Sequence, residues 1–197
     1  MVFIMISDWG IRIEPDWEQF KSETKKELST FPKNAKHTLS DAFDKQGECS
    51  LDVITTLKII RNSNEKRITA VAGMLAFLWE YEGNYVSCID AFCFLLITNG
   101  HDLFDLIRRK YVKSLEEIRN VDVSIKLTFL EEHNFGIFKR EKDRTLRNKI
   151  AHHDFQLDRS GNVQINNTVV DVGSRFNELS SFNSKVFETL YSCLDEC

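Results

Sequence analysis

The last third of the chain carries a group of arginine, asparagine and histidine residues whose types and spacing suit phosphate chemistry. The segment reads KREKDRTLRNKIAHHDF over residues 139–155. On a helix, which turns by about 100° per residue, Arg147, Asn148 and His152 fall within an arc of roughly 140°. Arginine offers forked donors to phosphate oxygens, and histidine exchanges protons near neutral pH. Arginine and histidine on a basic helix are what metal-free cleavage of RNA needs. The same spacing is also typical of a solvated helix face with no chemical role.

Further basic residues surround this group. Residues 139–149 contain six basic and two acidic side chains, a local charge of 6 − 2 = +4 that suits an anion such as the RNA backbone. Leu146 and Ile150 share the opposite helix face and should pack inward. The position of His153 near that face also fits a packed or capping residue. The residues that we expect to bind phosphate are Arg140, Arg144, Lys149 and His153.

A metal site at the end of this segment is the alternative that the same residues raise. His152, His153 and Asp154 are adjacent, and adjacent helical residues do not converge on one ion. No further ligand at usable spacing is visible in the sequence. We therefore expect neither a metal nor a cofactor.

The composition is that of an ordinary globular protein. The chain has 197 residues, 42% of them hydrophobic and 28% charged, with a net charge of −4, so contact with RNA would need a local basic patch. The five cysteines are odd in number and form no C-x-x-C pair, which favours a reducing compartment. No apolar run approaches the roughly 20 residues of a membrane span. We expect a cytoplasmic protein with no membrane partner.

Hydrophobic periodicity predicts a mainly helical chain. Residues 2–6 suggest a short strand or an extended arm, and Asp16 could cap a helix that runs to about residue 31. Asn34 could cap a second helix that ends at Gly47. Two helices then follow, from Ser50 and from Asn64, and a Gly83-Asn84 turn separates them from an apolar core helix over 85–98. On the helix from Asn34, the residues expected to face inward are Leu39, Ala42 and Phe43. On the helix from Ser50 they are Leu51, Ile54, Leu57 and Ile60, and on the helix from Asn64 they are Ile68, Val71, Leu75 and Leu78.

The second half of the chain shows a similar pattern. Short helices are expected around Leu103, Leu106 and Ile107 and around Ile125, Phe129 and Leu130. A longer helix covers residues 139–153. A polar turn at 158–162 separates the β-rich stretches 155–157 and 163–172. Ser174 could cap a last helix that ends near residue 194.

The sequence RNKIAH at residues 147–152 resembles the R-N-x-x-x-H signature of HEPN (higher eukaryotes and prokaryotes nucleotide-binding) domains. Its place near the end of a late helix is also similar. The resemblance implies an all-α fold, a HEPN-like helical bundle with a short β-hairpin-like insert at 155–172 before the C-terminal helix. The bundle would span residues 50–197, and residues 1–49 would form an N-terminal helical extension packed on the same domain.

The resemblance also implies a function. Many HEPN proteins are homodimeric, metal-independent endoribonucleases of toxin–antitoxin and defence systems, with arginine and histidine from two protomers in a shared cleft. Here Arg147 would bind the scissile phosphate, His152 would act as acid or base, and Asn148 would orient the phosphate or His152. The expected partners are RNA, a second copy of the chain and an antitoxin protein.

Two alternatives remain open. Some HEPN proteins bind RNA, nucleotides or other proteins without cleaving, so a non-catalytic binding module is the second hypothesis. Toxin members regulated by nucleotide transfer carry a tyrosine where this chain has Asp154, which puts that regulation in doubt. In the third interpretation the RNKIAH string is a chance feature of a helical protein.

Overall fold

The computed structural model describes the backbone of residues 4–7 and 10–13 and the whole of residues 15–39 and 65–196. This part of the chain is mainly helical, as expected. A π-helical segment (Glu80–Tyr85) joins the third and fourth helices, and a 3-10 turn (Gly136–Phe138) precedes the seventh. The helices are α1 (Trp17–Thr30), α2 (residues 33–39), α3 (Lys66–Trp79), α4 (Val86–Thr98), α5 (Leu115–Arg119), α6 (Val123–Glu132), α7 (Glu141–Ala151) and α8 (Val172–Glu196).

Short strands form three small antiparallel sheets within the described residues. The predicted insert is one of them, with one strand more than expected. Asn166 and Asn167 have φ values of 51° and 61°, which is the backbone of the tight turn that joins its last two strands. The strands are β1 (Ile4–Ser7), β2 (Gly10–Ile13), β3 (Phe104–Asp105), β4 (Lys110–Tyr111), β5 (Gln156–Leu157), β6 (Val163–Ile165) and β7 (Thr168–Val170).

Helix α4 lies at the centre of the core, which confirms the prediction from its apolar sequence. Its Phe92 ring lies 5.2 Å from each of the rings of Phe20, Phe135 and Phe138, measured between centroids. Aromatic rings at these separations add to the stability that their burial supplies. Two segments that are distant in sequence, α1 and residues 135–138, thus meet on α4. Cys88 and Cys93 on α4 are buried free thiols, also as expected.

The remaining helices surround this centre. α8 packs against α1, α3 and the π-helical segment, α6 against α4, and α7 against α3. α1 begins as predicted, since the Asp16 carboxylate accepts the N–H of Gln19 at 2.9 Å. α8 begins at Val172, and its cap is Asp171, whose carboxylate accepts the N–H of Ser174 at 2.9 Å. The expectation that Ser174 is the cap was therefore wrong.

The insert is held against the start of α3 by a close backbone contact. Gly161 has a φ of +81°, and a Cβ atom there would lie 2.6 Å from the carbonyl oxygen of Lys66. Both the conformation and the space therefore require glycine. The polar turn that the sequence predicted at 158–162 is thus a packed element.

The orientation of α3 differs from the prediction. Ile68, Val71 and Leu75 were expected to face inward, but they are exposed, and the buried residues of α3 are Ala72, Met74, Ala76 and Phe77. α3 carries apolar residues on most of its circumference. Periodicity therefore could not decide which face packs against α8.

The predicted turn at Gly83-Asn84 was also wrong. The chain stays helical there and widens into the π-helical segment, in which Asn84 is buried and donates to Glu80 at 2.9 Å. Glycine and asparagine favour turns in an isolated chain. Here a buried polar partner makes the helical conformation the more stable one.

The short helix expected near Leu106 and Ile107 is instead the turn between β3 and β4. Asp105 accepts the N–H groups of Ile107 at 2.9 Å and Arg108 at 3.1 Å. These hydrogen bonds and the Arg108 guanidinium hold the pKa of Asp105 below its usual value. Ile107 is 71% exposed at the tip of this turn, whereas Leu103 is buried.

Several predictions fall on residues that are not described. They are the helix starting at Ser50, with Leu51, Ile54, Leu57 and Ile60, and the contributions of Ala42, Phe43 and Asn64. Among the described helices, none is long and apolar enough to cross a bilayer.

Candidate functional site

The RNKIAH segment lies on α7, which is two residues shorter at each end than predicted. Leu146 and Ile150 are buried, as expected. His152 is the C-cap residue that directly follows the helix, and its N–H donates to the carbonyl of Asn148 at 3.0 Å. The side chain of His152 is exposed, so it is accessible at the end of the helix.

His153 ends the helix by its backbone. Its φ is 57°, in the left-handed region, and the N–H of Asp154 returns to the carbonyl of Lys149 at 2.8 Å. This arrangement closes helices and most often uses glycine at the left-handed position. His153 is therefore an exposed capping residue and does not pack in the interior.

Arg147 is held by a residue that the sequence analysis did not identify. Its Nε donates to a carboxylate oxygen of Glu82, and its Nη1 donates to Oδ1 of Asn148 at 3.0 Å. The side chains of Arg147 and Glu82 are 32% and 47% exposed. The guanidinium thus has a defined orientation and remains accessible to a ligand.

The π-helical segment places Glu82 beside α7. In the same segment, the buried Glu80 carboxylate accepts hydrogen bonds from Nδ2 of Asn84 at 2.9 Å and from Nδ2 of Asn183, on α8, at 2.7 Å. Burial raises the pKa of Glu80, although both amide hydrogen bonds oppose the shift. A π-helical turn inside an α-helical run is frequent at functional sites. Here it connects α8 to the Arg147–Glu82 pair.

Tyr81 is a buried neighbour of this ion pair. It is 3% exposed, and burial raises its pKa to about 12, while the nearby Arg147 charge acts in the opposite direction. The Tyr81 hydroxyl therefore stays protonated at neutral pH. Neighbouring Tyr85 is fully buried and donates its hydroxyl to the carbonyl of Phe138.

We expected Arg140 on the outward face of α7, but it does not lie there. It precedes the first turn of α7 with a non-helical backbone, and its Nε lies 2.5 Å from a carboxylate oxygen of the buried Asp143. Its guanidinium lies 4.8 Å from the centre of the Phe182 ring. A guanidinium over an aromatic face is a stabilising contact. Arg140 therefore connects α7 to α8.

The other basic residues of the segment have acidic neighbours. Arg144 pairs with Glu141 at 3.2 Å, Lys139 with Glu131 at 2.9 Å, and Lys149 with Asp154. Glu131, Glu82 and Asp154 all lie outside residues 139–149. The local charge of +4 that we counted in the sequence is therefore partly neutralised in the fold.

Arg147 and His152 do not converge within one chain. They are five residues apart on α7, which corresponds to about 7.5 Å along the axis and roughly 140° around it. The structure brings Arg147 together with Asn148 and Glu82. The sequence held one signal for Glu82, since the acidic residues at 80 and 82 and Asn84 interrupt an apolar stretch.

In the described part of the chain, no group of three His, Cys, Asp or Glu side chains is placed to hold a metal ion. Comparisons with protein-family models, curated proteins and solved structures found no match to this chain.

Proposed function

We propose that this protein is a metal-independent endoribonuclease of the HEPN type, acting as a toxin or defence effector. The observation that carries the proposal is the position of Arg147. Its guanidinium is oriented by Glu82 and Asn148 and remains one-third exposed. His152 is exposed at the end of the same helix.

The reaction is an attack of the RNA 2′-oxygen on the adjacent phosphorus. The phosphorus–5′-oxygen bond breaks, which leaves a 2′,3′-cyclic phosphate and a 5′-hydroxyl. His152 takes the proton from the 2′-hydroxyl or gives one to the departing 5′-oxygen, a contribution of about 10²–10⁴ in rate. Arg147 stabilises the charge that develops on the phosphate oxygens, and one well-placed donor contributes about 3–4 kcal/mol.

Glu82 has two consequences for this chemistry. It holds the guanidinium in one orientation, which favours binding of a phosphate in a defined position. It also competes with the phosphate, because both are anions that bind Arg147. An RNA phosphate must therefore displace Glu82 or share Arg147 with it through the guanidinium N–H groups that Glu82 does not accept.

A second copy of the chain completes the site. Because Arg147 and His152 project in directions roughly 140° apart, one α7 helix does not place both on the same phosphate. Two α7 helices that approach one another supply one residue each. The active species in this proposal is therefore a homodimer.

The test is cleavage of a structured RNA in EDTA by wild-type protein and by His152→Ala and Arg147→Ala variants. We expect each variant to cut at least about 100-fold more slowly than wild type. Matched controls are His101→Ala, which removes another partly exposed histidine, and Arg175→Ala, which removes an arginine paired with Glu178. The site assignment is wrong if the variants cut as fast as wild type or if the controls slow equally.

A non-catalytic RNA- or nucleotide-binding module is the second candidate, and the pairing of Arg147 with Glu82 favours it. A guanidinium paired with a carboxylate stabilises the extra charge that develops during cleavage less than a free one does, whereas its remaining N–H groups can still bind a ground-state phosphate. In that case the protein would bind RNA without turnover, and binding would weaken in the Arg147→Ala variant. Cyclic-phosphate products that disappear in the His152→Ala variant would exclude this candidate.

A further inference from the structure

An apolar stripe on α3 lacks a partner within the described residues. Its side chains are between 43% and 61% exposed, and at 100° per residue they fall within an arc of roughly 80°. A stripe this narrow is typical of a helix that packs against one other helix. We call it the α3 stripe; it consists of Ile68, Val71, Leu75 and Trp79.

The α3 stripe leads directly to the candidate site. The backbone remains helical from Trp79 into Glu80, so α3 and the π-helical segment form one continuous rod. Trp79 is therefore less than one turn from Glu82, which binds Arg147. Whatever covers the stripe at its Trp79 end will also lie beside the Arg147–Glu82 pair.

We propose that the α3 stripe is the surface on which a second copy of this chain docks, with the Trp79 ends of the two stripes together. A two-fold interface must be self-complementary, because each copy presents the same surface to the other. The stripe meets this condition with its apolar residues. The inference rests on the proposed function in one respect, since that function requires a second copy.

The charges at the Trp79 end agree with this occupant. Each copy presents one guanidinium, Arg147, and one exposed carboxylate, Glu82. Across a two-fold axis near Trp79, Glu82 of one copy meets Arg147 of the other, and the reverse contact forms by symmetry. Four alternating charges then border the apolar contact, and the two α7 helices approach one another.

The opposite orientation predicts a different site. If the two stripes packed antiparallel about their midpoints, Ile68 of one copy would lie opposite Trp79 of the other. The two Glu82 residues, with the Arg147 side chains that they bind, would then be about 25 Å apart along the helix axes, given a rise of 1.5 Å per residue. Each Arg147 would act without the other copy's α7, so the geometry of the site favours the arrangement with the Trp79 ends together.

The first experiment measures the mass of the full chain in solution by sedimentation equilibrium, without RNA. We expect wild type to be a dimer and Leu75→Glu to raise the dimer dissociation constant at least about 30-fold, as for a central interface residue. The matched control is Ile107→Glu, which places the same charge on another exposed aliphatic position, in the β3–β4 turn. It should leave the dimer intact. Circular dichroism and thermal unfolding check that both variants fold.

The second experiment tests the orientation by disulfide formation. Trp79→Cys, in a chain with Cys49→Ser and Cys197→Ser, should cross-link to itself under mild oxidation. The proposed orientation is wrong if Trp79→Cys cross-links only when mixed with an Ile68→Cys chain.

Several results would overturn the proposal. A monomeric wild type, or a Leu75→Glu variant that dimerises like wild type, would show that the second copy does not dock here. If the protein is a monomer and the backbone amides of α3 exchange slowly with solvent hydrogen, another segment of the same chain covers the stripe. Failure of this inference is distinct from failure of the nuclease proposal, because a dimer without RNA cleavage refutes only the latter. Cleavage by a monomer, lost in His152→Ala, refutes the interface and the two-copy site but leaves the assignment of nuclease activity to His152 in place.

Discussion

Two ion pairs in this molecule resemble each other in chemistry and differ in environment. Lys126 on α6 and Asp90 on α4 lie 2.6 Å apart, with side chains 1% and 8% exposed. Arg147 on α7 and Glu82 on the π-helical segment also connect two elements, but their side chains are 32% and 47% exposed. One pair is enclosed by the core, and the other is open to solvent.

The difference in exposure determines what each pair can do. Removing one member of a buried pair leaves an uncompensated charge in a medium of low polarity, so neither member can be exchanged for a ligand. A surface pair contributes little to stability, because water stabilises the two separated ions nearly as well as they stabilise each other. The Arg147–Glu82 pair can therefore open to admit a phosphate at small cost, whereas the Lys126–Asp90 pair serves the fold.

The largest effect should come from breaking the buried pair. Lys126→Met should lower the free energy of unfolding by about 3–5 kcal/mol, because the Asp90 carboxylate remains buried without its cation. Urea denaturation followed by tryptophan fluorescence measures this loss. The control Lys139→Met removes a cation from an exposed pair with Glu131 and should cost less than about 1 kcal/mol. Equal losses in the two variants would remove the distinction between the pairs.

The end of α7 offers a change in the opposite direction. His153→Gly should raise the free energy of unfolding by about 1 kcal/mol, because glycine adopts the φ of 57° without the steric cost of a side chain. Thermal unfolding checks the prediction. His152→Gly, at a position with a φ of −92°, is the control and should not stabilise the protein. A loss of RNA binding in His153→Gly would show that the imidazole contacts phosphate as well.

Arg147→Ala sharpens the comparison because its two effects should separate. We expect a loss of at most about 1 kcal/mol in unfolding free energy, since the pair is well exposed. RNA cleavage should nevertheless fall by the factor of about 100 given above. Urea denaturation and cleavage assays on the same preparation provide both values. A stability loss as large as that of Lys126→Met would identify Arg147 as a structural residue.

The smallest effect concerns the pH dependence of stability through Glu80. Burial raises its folded pKa above 4.5, so the folded state binds the proton more tightly than the unfolded state. Stability from this group therefore falls as the pH rises from about 4.5 through the folded pKa. Glu80→Gln should flatten that part of the profile, measured as unfolding free energy between pH 4 and pH 8. A variant profile parallel to that of wild type would contradict the assignment.

The outcome of the Glu80→Gln variant also depends on Asn183. Its Oδ1 is buried and has no partner among the described residues, so it can accept from the new amide. The buried hydrogen-bond network should therefore tolerate glutamine. The comparison isolates the charge of Glu80, because the buried Asp90 contributes equally to both proteins.

Prediction from the sequence succeeded where neighbouring residues carry the information. The inward positions of Leu146 and Ile150 follow from their i, i+4 spacing, and the α7 helix was placed within two residues at each end. The central position of α4 follows from its apolar sequence. The cap of α1 follows from the preference of Asp16 for hydrogen bonds to N–H groups near it in sequence.

Prediction failed where two local solutions had similar free energies. α3 has apolar residues on several faces, so its periodicity did not select the buried one. Gly83 and Asn84 could form a turn or a helix, and the contact of Glu80 with Asn183, 103 positions later, favours the helix. Arg140 faced outward on an ideal helix, but Asp143 and Phe182 hold it against α8.

The sequence by itself determined that α1, α4, α7 and α8 are helical and that arginine, asparagine and histidine lie in order along α7, because hydrogen bonding and side-chain spacing within a helix are local. Only the tertiary structure decided the charge and accessibility of these residues. Glu82 lies 65 positions before Arg147, and it reaches the guanidinium only after α3, the π-helical segment and α7 have packed together. Electrostatic energy depends on distance in space, so the state of this site follows from the fold.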